Sequence, residues 1–193
     1  RTTDNGTGPL YYEEAFTVSV TDVNDAPIIT SNSGGSTASI SFAENNTAAV
    51  TTVTSTDEDG DTRTYTKSGT DAGDFNINSS SGALTFASTP NYESAADADG
   101  NNTYIVIVTA TDNGSLTDSQ TITVTVTDVN EAPVITSNSG GSTASISYAE
   151  NSTSTVTTVA STDEDGDTRT YSISGTDAAD FSINSSSGAL TFT

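Results

Sequence analysis

Hydrophobic and polar residues alternate along this chain in short runs separated by Gly, Ser, Asn and Asp. Ala38-Ser39-Ile40-Ser41-Phe42, Phe75-Asn76-Ile77 and Leu84-Thr85-Phe86 follow the period of two that sends successive side chains to opposite faces of a strand, and Ser79-Ser80-Ser81-Gly82 marks a turn between the last two. Tyr104 to Ala110 and Thr121 to Val126 are the strongest predicted strands. In the second, Ile122, Val124 and Val126 are expected to face a core, while Thr123 and Thr125 face water. In the first, Ile105 and Ile107 make the alternate positions apolar as well, which predicts a central strand with a partly covered outer face. No segment reads convincingly as a helix. Short strands about every ten residues, punctuated by turn formers, predict an all-β chain built as antiparallel Greek-key β-sandwiches.

The pattern is itself repeated. Residues 26–87 and 132–193 agree at about fifty of about sixty positions, at a constant shift of 106 residues. Thr-Asp-Val-Asn-Asp-Ala-Pro (21–27) opens one copy and Thr-Asp-Val-Asn-Glu-Ala-Pro (127–133) the other, and Thr-Asp-Glu-Asp-Gly-Asp follows each about thirty residues later. A fixed period of this length is the mark of a tandem array. Residues 1–25 correspond to 107–131 and read as the C-terminal end of a preceding repeat; 26–131 read as a complete repeat, and 132–193 as the N-terminal part of the next, all joined end to end. Residues 132–193 stop before the two strongest strands, so their sheet edges are expected to lack partners. Either the sequence is a cut through a longer array or a neighbouring chain supplies the missing strands, and the cut is favoured because nothing in the sequence encodes exchange.

Charge narrows the function. The 26 acidic and 4 basic residues give a formal charge of −22 on 19.6 kDa, which disfavours nucleic acid, whose binding depends on Lys and Arg at phosphates. Such acidity can mark disorder, but the ordered alternation of hydrophobic residues, 32% of the chain, argues for a folded sandwich. With no Cys, bound ions are the expected substitute for disulfide staples. No stretch approaches the roughly 18 to 20 apolar residues of a membrane span, and the chain opens on Arg1 without a signal sequence, so an anchor or secretion signal is expected elsewhere. An enzyme is not expected: there is no His, no Cys and no nucleophile motif, and the paired carboxylates recur at repeat boundaries rather than across one cleft. The seven Asn-x-Ser/Thr sites, Asn5 to Asn184, are expected by chance in so Ser- and Thr-rich a chain.

The acidic runs carry the chemistry. Calcium takes about six to eight oxygen ligands from carboxylates, Asn side chains, carbonyls and water. Asp128, Asn130 and Glu131 offer such oxygens in a stretch that Pro133 ends stiffly, and Asp163 and Asp165 offer two more at an Asp-x-Asp spacing that aims both to one side of an extended segment. Asp, Asn and Gly also favour soluble turns. The pairing of this run with the boundary motif at each junction decides for calcium. An EF-hand is excluded, because its closing Glu and flanking helices are absent.

Read together, the ordered motifs Ala43-Glu44-Asn45, Thr56-Asp57-Glu58-Asp59, Tyr65 with Ser68-Gly69, Phe75 to Leu84, Asn91-Tyr92-Glu93, Ala110-Thr111-Asp112 and Asp128-Val129-Asn130-Glu131-Ala132-Pro133 resemble the cadherin repeat, especially the cadherin-like arrays of large bacterial surface adhesins. That resemblance implies Ca2+ between successive sandwiches. At the second junction it implies Glu44 and Glu93 from the base of the complete repeat, Asp128, Asn130 and Glu131 from the linker, and Asp163 and Asp165 from the next repeat. At the first it implies Asp22, Asn24 and Asp25 with Asp57, Asp59 and Asp112. Asn91 stands where the family commonly has Asp, which implies a weaker outermost ion, and Glu131 replaces an Asp. Fewer than the three ions of an intact joint are expected here, because the first junction lacks the preceding repeat's Glu residues and the second lacks a counterpart of Asp112. Glu44 is expected to contribute ligands rather than packing, and Lys67, where the other copy has Ile173, to reach the surface without a function.

The resulting expectation is a non-enzymatic, extracellular, cell-surface spacer: a calcium-rigidified rod within an adhesin or fibre that supports cell adhesion or biofilm attachment. Its expected partners are neighbouring repeats of the same chain and like chains in a fibre. The alternative is that the repeats adhere themselves, by homophilic contact or by binding polysaccharide, for which Tyr11-Tyr12 is the only adjacent aromatic pair.

Overall fold

The computed structural model of the chain describes residues 1–8 and 10–193. Before Pro27 the described residues contain one short antiparallel pair, β1 (Thr2–Thr3) and β2 (Tyr11–Tyr12). From Ile28 to Thr127 it forms β3 (Ile28–Ile29), β4 (Thr37–Ala43), β5 (Thr51–Thr52), β6 (Ser55–Thr56), β7 (Thr64–Ser68), β8 (Phe75–Ile77), β9 (Ala83–Phe86), β10 (Thr103–Thr111) and β11 (Thr117–Thr127). After it come β12 (Val134–Ile135), β13 (Thr157–Thr158), β14 (Ser161–Thr162), β15 (Phe181–Ile183) and β16 (Ala189–Phe192).

Strands β3 to β11 make two layers. One sheet has the order β4-β11-β10-β7. The other is assembled from β3-β6 and β5-β9-β8, in which 51–56 is one path interrupted at Val53 and Thr54; there the Val53 N–H donates to the Gly82 carbonyl at 2.9 Å and the Thr30 N–H to the Thr54 carbonyl at 2.8 Å. The alternation expected of β11 is present: Ile122, Val124 and Val126 are buried, and they meet Val106, Val108 and Tyr104 of β10 and Phe42 of β4 in one core. β10 is central, with β11 on one side and β7 on the other, and its outward Ile105 keeps 41% of its exposure. Phe75, Phe86 and Tyr104 pack with ring centroids 4.6 to 6.0 Å apart. The ladder departs from antiparallel pairing at one place: β4 runs parallel to β11, from Thr37 opposite Thr121 to Ala43 opposite Thr127. Because residue 37 arrives from the opposite sheet by a crossover, its strand enters the second sheet alongside the last strand in the same direction.

The two copies share local packing, although residues 143–149 and 170–174, the counterparts of β4 and β7, form no strand in the second, which lacks the central strands they would pair with. The Ser55 and Tyr65 hydroxyls are 3.0 Å apart and those of Ser161 and Tyr171 3.1 Å; the Phe75–Phe86 and Phe181–Phe192 rings lie 4.6 and 4.5 Å apart. The surroundings differ. Phe75 is fully buried while Phe181 is half-buried, since residues 132–193 contain no counterparts of β10 and β11. Lys67 points from β7 toward the inner layer, half-buried, and its ammonium donates to the Ala72 carbonyl rather than extending freely into water.

Gly82 is required by its turn. Its φ is +71°, and a Cβ there would lie 2.0 Å from the Val53 carbonyl oxygen; Gly188 meets Val159 at the same distance. Gly82→Ala is therefore expected to destabilise by about 2–4 kcal/mol, adding a backbone clash to the left-handed penalty. Gly60 shares a positive φ of +77° but has nothing within 4 Å, so Gly60→Ala is expected to cost only about 1 kcal/mol. Urea unfolding of the two variants checks the difference, and equal losses would contradict it.

Candidate metal centre at the repeat junction

Glu44 follows β4 at the base of the sandwich and is only 2% exposed. Its carboxylate spans two segments: one oxygen accepts the Tyr92 N–H at 2.7 Å and the other the Val129 N–H at 2.8 Å. The side chain therefore ties the loop that carries Glu93 to the linker that carries Asp128. The expectation that Glu44 serves only as a ligand is too narrow, because buried backbone donors also depend on it.

Around Glu44 the carboxylates converge from both sides of the boundary. One oxygen each of Glu44, Glu93 and Asp128 lie within 4.8 Å of one another, as do oxygens of Glu93, Glu131 and Asp165, and those of Asp163, Asp165 and Asp167. The Glu131 N–H donates to Asp165 at 2.8 Å, so the linker is registered against the Asp-x-Asp turn of residues 132–193. Asn130 donates to the Glu131 carbonyl at 3.2 Å, Asn45 donates to the Glu131 carboxylate, and Asn91 donates to Glu164 at 2.5 Å. One Glu131 oxygen and one Asp165 oxygen are buried with no hydrogen-bond partner. Hard oxygens packed this closely, some without a donor, match what a divalent cation with oxygen ligands requires.

Burial, and after it the charge of neighbouring carboxylates, raises the pKa of three of these groups. Burial first, and then the charges of Glu44, Asp165, Glu93 and Glu164, raise the Glu131 carboxyl from its ordinary 4.5 to about 7. Burial likewise raises Asp128, helped by Asp165, and raises Glu93, helped by Glu44. A carboxyl whose pKa is raised in the closed joint holds its proton more tightly there than in the open one. For Glu131 that contribution is fully present below about pH 4.5 and lost as pH rises through about 7. Without metal, the joint is thus expected to loosen across this interval, and Glu131→Gln to flatten the profile. A divalent cation bound there would reverse the slope, because it needs the deprotonated ligands. Scattering profiles recorded against pH in chelator check this; a joint that tightens toward neutral pH would contradict it.

At the first junction the same residues take equivalent local positions. The Asp25 N–H donates to Asp59 at 2.7 Å, the counterpart of Glu131 to Asp165. Asn24 donates to Asp112 at 2.9 Å, and Asp57 accepts the Asp59 and Asp61 N–H groups at 3.2 and 3.1 Å while its second oxygen is buried and unpartnered. Burial pushes the Asp112 carboxyl up, but the Asn24 amide and the Leu116, Gly114 and Ser115 N–H groups outweigh it and hold it below its ordinary range. Asp22 is exposed. Among the described residues no three carboxylates converge here within 4.8 Å, in a segment without the counterparts of Glu44 and Glu93.

Two participants, Asp167 and Asn45, escape a reading of the sequence, and Asn91, expected there as a weaker ligand, is also a donor. Asp167 joins Asp163 and Asp165, and the Asp-Gly-Asp continuation of the run was the available signal. Asn45, at φ 59°, and Asn91 each carry an amide to a carboxylate beyond their own loop, which only the fold reveals.

Residues 38–127 match the family model of the cadherin domain. Among solved structures the chain is similar to protocadherin gammaB7 EC3-6, described as a cis-dimer, with 21% identity over 98% of this chain and 48% of that one and a TM-score of 0.54. It is similar to human protocadherin-24 EC1-2 at 22% identity, covering 89% and 78%, with a TM-score of 0.54. Mouse cadherin-23 EC22-24 gives 25% identity, 98% and 61% coverage, and a TM-score of 0.51. This chain therefore spans about half the length of the protocadherin gammaB7 segment. No curated protein matches it.

Proposed function

We propose that the chain is a segment of an extracellular adhesin or fibre in which tandem cadherin-like sandwiches, with 26–131 as one complete unit, act as a spacer stiffened by calcium at each joint. The observation that carries this reading is the convergence of Glu93, from one side of the boundary, with Glu131 of the linker and Asp165 beyond it, in a group that overlaps through Glu93 with Glu44 and Asp128. Glu44, Glu93, Asp128, Asn130, Glu131, Asp163 and Asp165 would hold the ions of the second joint, with Asp167 added to the set. Asp22, Asn24, Asp25, Asp57, Asp59 and Asp112 would contribute to the first. A bound cation supplies positive charge among carboxylates that otherwise repel one another, so occupancy couples directly to the angle between neighbours. Asn91 lowers the charge of the cage and weakens its outermost position.

No catalytic role is assigned, and adhesion is assigned to the array rather than to a glycan site. In the only adjacent aromatic pair of the sequence, the Arg1 guanidinium lies over one face of Tyr11, 4.0 Å from the ring centre, while both rings remain exposed. No described helix is long and apolar enough to cross a membrane. Calorimetric titration with calcium tests the proposal. Saturable binding that Glu93→Ala weakens is expected, and absence of heat and of any calcium-dependent change in shape would overturn it.

A further inference from the structure

The loop between β10 and β11 meets the first linker at unusually close range. Asp112, buried at its start, accepts the Leu116 N–H at 2.8 Å with one oxygen, which closes the turn, and the Asn24 amide at 2.9 Å with the other. A Cβ built on Gly114 would lie 2.6 to 2.7 Å from the Nδ2, Cγ and Oδ1 atoms of Asn24. The linker amide thus sits between a carboxylate and the bare backbone of a glycine. Unlike Gly82, Gly114 has no left-handed φ, so its own conformation admits a side chain and only the occupied space forbids one. The second linker shows the same Asn without that loop. Asn130 matches Asn24, but residues 132–193 hold no counterpart of Asp112 to Gly114, and its amide donates to the neighbouring Glu131 carbonyl at 3.2 Å. The loop also keeps these residues where its length changes: Thr3-Asp4-Asn5-Gly6 repeats Thr111-Asp112-Asn113-Gly114, although Leu10 follows two residues later than Leu116 does. Asp4 still accepts the Leu10 N–H, at 3.3 Å.

We propose that Asp112 and Gly114 form a socket that seats the linker Asn, and that Gly114 is a positioning residue of the first joint. An exposed amide on an extended linker has many rotamers, and its charge-assisted bond to Asp112 selects one of them. The socket also selects the occupant. Asp at position 24 would set a second carboxylate against Asp112, and Gln would carry one more methylene into space that a single Cβ already overfills. Seating Asn24 fixes its separation from Asp112, and so the span that a cation shared by the two would bridge. That consequence rests on the calcium reading of the joint; the socket itself does not. The close contact differs in kind from the one at Gly82. There the obstacle is the Val53 backbone, whereas at Gly114 it is the end of a side chain that can swing into water. Gly114→Ala is therefore expected to unseat the linker while leaving the sandwich folded.

Nuclear magnetic resonance of the whole nitrogen-15-labelled chain tests the socket, first in chelator and then during a calcium titration. In chelator, Gly114→Ala is expected to keep the urea midpoint of the parent while the Asn24 side-chain amide signals move to those of a freely solvated Asn. Asn24→Gln should likewise lose the seated signals. In the titration, the calcium midpoint followed at residues 24 and 112 should rise about tenfold in Gly114→Ala, the scale of losing a group that orients a ligand. The midpoint at residues 131 and 165 should stay as in the parent. Gly114→Ala added to Asn24→Ala should change nothing more, because the side chain it displaces is already gone. Asn24 signals unmoved by Gly114→Ala, additive losses in the double variant, or a fall in urea midpoint as large as that of Gly82→Ala would overturn the proposal. A parent chain whose signals ignore calcium would overturn the calcium reading instead, and the comparison in chelator would still decide the socket.

Discussion

Glu44→Ala is expected to lose calcium affinity at the second joint and to lower the stability of the sandwich at the same time. The side chain is 2% exposed, and its two oxygens accept N–H groups of Tyr92 and Val129. Truncation strands both donors in a partly buried site, a cost of about 1–3 kcal/mol each, less whatever water recovers. A net loss of about 2–4 kcal/mol follows, measurable by urea unfolding in chelator, where no ion contributes. Calcium binding falls for a second reason, since the Glu93 and Asp128 carboxylates would lose both a co-ligand and the tie that brings their segments together. Glu44→Gln separates the two effects: its amide retains one acceptor oxygen and side-chain volume but removes the charge, so it should spare more stability than calcium affinity. If Glu44→Ala unfolds like the parent in chelator, the carboxylate does not hold the loop and linker.

Chelation is expected to produce the other large effect. A ligand that binds only the closed, folded joint stabilises it by about 2.7 kcal/mol at a hundredfold excess over its dissociation constant. Withdrawal also restores repulsion among Glu44, Glu93, Asp128, Glu131 and Asp165, whose oxygens lie within 4.8 Å in overlapping groups. The melting temperature should fall, and the loss should be largest near neutral pH, where the raised Glu131 carboxyl gives up its proton. Magnesium should replace calcium poorly, because its smaller shell demands stricter geometry and gives up water reluctantly. A melting temperature unchanged between millimolar calcium and chelator would remove the thermodynamic basis of the proposed role.

What could be read from the sequence was local or periodic. Ile122, Val124 and Val126 announce a buried strand face because the strand period is two, and the Ser79 to Gly82 turn places Phe75–Ile77 beside Ala83–Phe86 without reference to the rest of the chain. The acidic runs were legible because their composition and position recur with the repeat. The parallel pairing of β4 with β11 was not, since it joins residues more than eighty positions apart and leaves no mark on either strand's alternation. Buried acids were equally hidden. Asp71 is 4% exposed and accepts the Ala98 and Ile105 N–H groups at 2.9 and 2.7 Å, while Asp97 accepts those of Asn101 and Asn102. In sequence both look like ordinary turn residues, and only the arrival of distant donors makes them structural. The dual role of Glu44 escaped for the same reason, as did the donor roles of Asn45 and Asn91.

Small-angle scattering of the chain extended to two complete repeats, in millimolar calcium and in chelator, tests the central claim most directly. Fixed joints predict a longer maximum dimension and a narrow distribution of interdomain angles with calcium, and a shorter mean extension with a broad distribution without it. Superimposable profiles in the two conditions would contradict the account, because carboxylates gathered across the boundary would then not be setting the geometry of the joint.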